Sequence, residues 1–168
     1  MVRFDWLRLA ATIALLILLL LIASAAFPAH ASTLSALPSI SPDGSKLALP
    51  GKEPAFLLAV NYEGPADRAW QMWEDSQFDA QLIDADLHRA REAGFSAVRV
   101  FVQSPLARDV QMGRWDKLDS FFSIAQRNGL GVILCFNDYG EKNLAKVSEV
   151  GGRIAARYSN NTTLLAYD

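Results

Sequence analysis

The chain has 168 residues, the size of one domain, and its 51% hydrophobic and 20% charged composition is that of an ordinary globular protein. A net charge of −2 provides no basic footprint and argues against nucleic acid as a partner. The single cysteine, Cys135, can close no internal disulfide, so the domain must be held by its core.

The apolar residues are unevenly spread. Arg3 and Arg8 flank a short charged start, and the uncharged run "ATIALLILLLLIASAAF" follows. In "PAHAS", Ala29 and Ala31 fit the small-x-small pattern of a secretory cleavage site, which predicts a signal peptide over residues 1–31. The alternative is an uncleaved anchor, since the run from Leu9 to Phe27 approaches the roughly 18 residues that span a bilayer. Both readings place the remainder outside the cytoplasm, secreted or membrane-anchored. Without Arg3, Arg8 and Asp5, 14 basic residues face 17 acidic ones, a net charge of about −3.

Residues 32–54 are rich in Ser, Pro and Gly and lack sustained periodicity, as expected of a linker. From residue 55 strands and helices alternate. "AFLLAVNY" (Ala55–Tyr62) reads as a strand buried on both faces. "DAQLIDADLHRAREAG" is an amphipathic helix with Ile83, Leu87 and Ala90 on one stripe, Asp79 as N-cap and Gly94 as its stop. "AVRVFV" (Ala97–Val102) is a second strand, bounded by Gly94 and Pro105. "RWDKLDSFFSIAQRNG" is a helix presenting Trp115, Leu118, Phe122 and Ala125. "LGVILCFN" is a third strand, "LAKVSEVGGRIAARYSNN" a third helix and "LLAYD" a fourth strand. Gly151 and Gly152 weaken the middle of that last helix, where each costs about 1 kcal/mol against alanine.

Strand, helix, strand with short turns predicts an α/β fold with a parallel sheet, because parallel neighbours need a crossover. The unit spacing suits a (β/α)8 barrel or a doubly wound sheet. The first turn, "NYEGPADRAW", carries neither G-x-G-x-x-G nor a P-loop, which disfavours the nucleotide-binding alternative.

Ligands of parallel α/β proteins bind at the carboxyl ends of the strands. Those ends carry Asn61 and Tyr62, Arg99 through Gln103, Asn137 and Asp138, and Asp168, with Trp70, Trp73 and Tyr139 in the loops behind. Rings stack on sugar faces while amides and carboxylates bind hydroxyls, so the set suits saccharides. Each residue also has a plainer reading. Trp70 and Trp73, at i, i+3, equally suit packing of a loop helix; Asp138 equally suits an Asx turn; Arg99 suits a structural ion pair, because a charge within a strand needs a partner. Cys135 reads as a buried apolar residue, and His88 as a surface residue on its helix. Glu74, Asp75 and Asp79 lack the ligand order of a calcium loop and read as a solvated face with a helix cap. Asn160–Thr163 contains two overlapping glycosylation sequons in what reads first as a polar turn. No metal or cofactor is expected.

"FLLAVNY" with its Trp-rich loop, "AREAGFSAVRVFV", "KLDSFFSIAQRNGLGVIL" and "RYSNNTTLLAYD" resemble consecutive stretches of the clan A TIM-barrel glycoside hydrolases, in particular family 5 and its cellulase- and mannanase-like relatives. The resemblance covers Ala55 to Asp168. It implies the first half, about four βα units, of a (β/α)8 barrel over residues 55–168, acting on poly- or oligosaccharides. It also implies a retaining mechanism with two glutamates whose carboxyls stand about 5–5.5 Å apart. The family's acid/base follows the strand-four motif and its nucleophile lies on strand seven, so both are expected beyond Asp168. The chain alone should then be inactive and should need the missing C-terminal half of the barrel. Arg99 matches the family arginine that holds the nucleophile ionised. Thr162 stands where proline is common in the family, and Asn137, Asp138 and Tyr139 stand where histidine is often found, which departs from the family pattern. A reading of another class is an exported, non-catalytic carbohydrate-binding or scaffold domain.

Overall fold

The structure is a computed structural model that describes residues 37–41, 43–44, 46–48, 57–64, 71–136 and 141–168. The expected leader or anchor, and Trp70, Asn137, Asp138 and Tyr139, lie outside the described residues.

The predicted linker holds a small element. Ser39–Ile40 (β1) and Leu47–Ala48 (β2) pair antiparallel. The turn between them is closed by Ser41, whose hydroxyl donates to Asp43 Oδ1 and accepts from the Lys46 amide. Ser41, Asp43 and Gly44 between the two short strands are turn chemistry, so this stretch is ordered where its composition suggested only a linker.

The main body alternates strand and helix. Its elements are β3 (Ala59–Tyr62), α1 (Ala80–Glu92), β4 (Ala97–Phe101), α2 (Ser104–Gln111), α3 (Asp116–Arg127), β5 (Gly131–Cys135), α4 (Leu144–Tyr158) and β6 (Leu164–Tyr167). Asp79 caps α1 as expected, its Oδ1 accepting from the amides of Gln81 and Leu82. Gly94, at φ +92°, turns the chain out of the helix. Helix α4 runs unbroken through Gly151 and Gly152. Helix α2 departs from expectation: Pro105, a strand boundary in the sequence, also opens a helix. Proline is at home in a first helical turn, where its missing N–H costs nothing, and Leu106, Ala107 and Val110 supply the buried stripe.

The four strands form one parallel sheet in sequential order β3-β4-β5-β6. Side chains of all four helices join Val98, Val100, Val132, Leu134 and Leu164 in one core, covering one face of the sheet. The opposite face has a small cluster of Ala97 and Leu165 with Leu57 and Ile133, to which no described helix contributes. A register shift between Val132 and Ile133 leaves Leu165 as an extra residue on β6. Its side chain lies over Gly131, where a Cβ would stand 2.3 Å from Leu165 Cδ1.

Strand β3 departs from expectation. It is an edge strand with Ala59 and Asn61 exposed, so it is not buried on both faces. Nothing described covers its outer edge or the open face beneath those two residues.

Candidate functional site

Alternation along the strands decides which side chains reach the open face. On β4, Val98 and Val100 enter the helix-side core, so Ala97, Arg99 and Phe101 must point the other way. Asn61 pairs with Arg99, and Arg99 with Ile133, in one level across the sheet. Cys135 stands beside Phe101 one level nearer the carboxyl end.

Arg99 is the centre of this face. Its Nε donates to Asp168 Oδ2 at 2.5 Å, its Nη1 to Asn61 Oδ1 at 3.4 Å and its Nη2 to Cys135 Sγ at 3.0 Å. The guanidinium also lies 4.5 Å from the centre of the Phe101 ring, an attractive cation-π geometry. Asp168 is set in place by its backbone. Its N–H donates to Leu134 O and its carbonyl accepts from Phe136 N, both at 2.8 Å, which prolongs the β5–β6 ladder by one residue. Arg99 therefore has a carboxylate partner within the chain, as the ion-pair reading of the sequence requires. Cys135 is buried, as expected of a small apolar residue, but its sulfur accepts a hydrogen bond from a cation. Both contacts follow from register: residues that share a level and a face meet, and sequence spacing alone does not reveal the level.

Two of the predicted sugar contacts belong elsewhere. Tyr62 alternates with Asn61 and turns to the helix side, where its hydroxyl donates to Asp86 Oδ2 at 3.0 Å and its ring stacks on Phe121. Burial, reinforced by the Asp86 carboxylate, pushes the phenol well above its ordinary pKa, so it stays protonated. Trp73 is 0% exposed. Its Nε1 donates to Phe101 O at 2.9 Å and its indole packs against Phe78 and Phe121. It packs its loop onto the sheet and offers no face to a sugar, which is the plainer of the two roles the sequence allowed.

A second charged group fastens that loop. Asp109, buried, accepts from Arg114 Nε at 3.0 Å and from Lys117 Nζ at 2.9 Å. Lys117 also donates to Trp73 O and pairs with Asp75, each at 2.5 Å. Burial alone would lower the Lys117 pKa, but hydrogen bonds to Asp75 and Asp109 outweigh it and raise the value. Glu74 pairs with Arg108, and Asp79 caps α1, so the acidic run is divided among separate structural tasks. His88 is exposed beside Glu92.

Chemically, the open face offers a fixed guanidinium, an amide, a thiol and a carboxylate at the carboxyl ends of parallel strands. A guanidinium in this position binds and orients carboxylates, and the amide and carboxylate bind hydroxyls. No protein-family model matches the chain, and no curated protein matches it. Among the described residues no helix is long and apolar enough to cross a membrane.

Proposed function

We propose that this chain is the N-terminal part of an exported glycoside hydrolase of the (β/α)8 type, cleaving O-glycosidic bonds of poly- or oligosaccharides with retention. The observation that carries the reading is Arg99, held at the carboxyl end of a sequentially ordered parallel sheet by Asp168, Asn61 and Cys135. Sequential order with helices on one face is what a singly wound barrel requires, since a doubly wound sheet reverses its order part-way and carries helices on both faces. In this reading Arg99 orients a carboxylate nucleophile supplied by later chain, and Asp168 holds the guanidinium ready. The glutamate that protonates the leaving oxygen would follow Asp168 in the sequence, and the attacking glutamate would come from a later strand.

The non-catalytic carbohydrate-binding alternative has one observation in its favour. The carboxylate at the centre of the described site, Asp168, is already paired with Arg99.

Reducing-sugar release from β-glucans and β-mannans separates the two. Residues 32–168 alone should release none, whereas the product of the reading frame continued past Asp168 should release sugar with the anomeric configuration retained. Turnover by the short form, or none by the continued one, would overturn the hydrolase reading.

A further inference from the structure

The two overlapping sequons that follow α4 take part in nothing described so far. Asn160-Asn161-Thr162 and Asn161-Thr162-Thr163 both have the N-x-T form of a glycan acceptor, and the sequence does not choose between them. Their surroundings do. Asn160 is exposed in the turn that leaves α4, and its side chain makes no hydrogen bond among the described residues. Asn161 is tied down at three atoms. Its N–H donates to Tyr158 O at 2.9 Å, its carbonyl accepts from Leu164 N at 3.1 Å, and its Oδ1 accepts from Thr163 N at 2.9 Å.

The last of these bonds is an Asx turn, and it leads the chain into β6. A transferase must be offered the asparagine together with the hydroxyl residue two positions on. For Asn161 that residue is Thr163, which is 5% exposed and whose carbonyl accepts from Val132 N at 2.7 Å. Offering this pair would open the turn and strand the Thr163 N–H without its partner, which is unfavourable for a buried donor. For Asn160 the residue is Thr162, which is half-buried, and no described side-chain hydrogen bond is lost. All three Asn161 bonds span three residues or fewer, so the turn needs only the end of α4 and the start of β6. It also lies at the opposite end of β6 from Asp168, so a group attached there leaves the face around Arg99 open.

We propose that Asn160 is an attachment site for an N-linked glycan and that Asn161 is not. This goes beyond the hydrolase reading and rests only on export, into a compartment that holds an oligosaccharyltransferase and an oligosaccharide carried on a lipid diphosphate. In the transfer, Asn160 Nδ2 attacks the anomeric carbon of the donor. The nitrogen–carbon bond forms as the bond from that carbon to the diphosphate oxygen breaks. The lipid diphosphate leaves with the electron pair, and the nitrogen gives up one proton to a base of the transferase. The product is a bulky, solubilising group on an exposed turn.

The test is expression of the full chain behind its own leader in a eukaryotic secretory host. Translocated protein, secreted or membrane-held, is treated with peptide N-glycosidase in heavy-oxygen water, with an enzyme-free digest as control. The enzyme turns each glycosylated asparagine into a labelled aspartate that peptide mass spectrometry locates. Label should fall on Asn160 and not on Asn161. Asn160→Gln and Thr162→Ala each destroy the first sequon and keep the second, since Asn161 still has Thr163 two positions on. Both variants should therefore emerge without label. Translocated wild type without label on Asn160, label on Asn161, or a glycan persisting in either variant overturns the assignment and leaves export standing. A chain that is not translocated overturns the assignment together with the export reading.

Discussion

On the helix side of the sheet, Val98, Val100, Val132 and Leu134 are all 0% exposed, while on the other side Ala59, Asn61 and Ala166 are exposed and Arg99 and Ile133 half-buried. The same strands build both faces, one residue apart. Packing dictates the first, where helix and strand side chains interlock and any loss of volume is felt. The second combines a few polar contacts around Arg99 with a small buried apolar group, Ala97, Phe101 and Leu165. The contrast separates what holds this fold from what the fold presents.

The sharpest way to break that comparison is to remove volume from the helix side. Phe121 on α3 is 0% exposed and touches the rings of both Tyr62 and Trp73. Phe121→Ala should destabilise by about 3–5 kcal/mol in denaturant unfolding, the usual range for a buried aromatic. A loss under about 1 kcal/mol would mean that this core is not what holds the sheet.

A smaller effect belongs to the open face, where Leu165 closes over Gly131. Gly131 sits under Leu165, and an added methyl would meet it at 2.3 Å, well inside contact distance. Gly131→Ala should lower stability by about 1–3 kcal/mol through overpacking. Combining it with Leu165→Ala should recover most of that penalty, because the two side chains would no longer compete for the same space. An additive double mutant would show that the cost lies in the backbone of β5.

These faces also differ in how far the sequence discloses them. The helix side is periodic, so Ile83 and Leu87, Leu118 and Phe122, and Ile154 and Tyr158 are readable as core, and they are core. Strand order follows from the short crossovers. The open face is readable only in part. Arg99 stands out because a charge within a strand needs a partner, but the partner's identity depends on registers across three strands. A β-bulge at Leu165 shifts one of them. The sequence misplaces Tyr62 and leaves Trp73 between two roles, because aromatic character says nothing about direction. For Tyr62 the alternation rule was sufficient, since Asn61 and Tyr62 cannot share a face. For Trp73 the deciding contact, Nε1 to Phe101 O, spans 28 residues and has no local signature.

The smallest expected effect is the most informative about the site. The Arg99 Nε to Asp168 distance of 2.5 Å suggests a strong bond, yet the two side chains are 29% and 54% exposed. Water and salt screen a pair so placed, and ordering two side chains offsets much of the attraction. Arg99→Met keeps an apolar stem against Phe101 while removing the charge. It should therefore change unfolding free energy by no more than about 1 kcal/mol, far less than Phe121→Ala. A loss above about 2 kcal/mol would place Arg99 with the scaffold and favour the ion-pair reading over the catalytic one. A near-neutral result would leave the guanidinium with little role in the fold and would favour the proposed role, the orienting of a carboxylate from later chain.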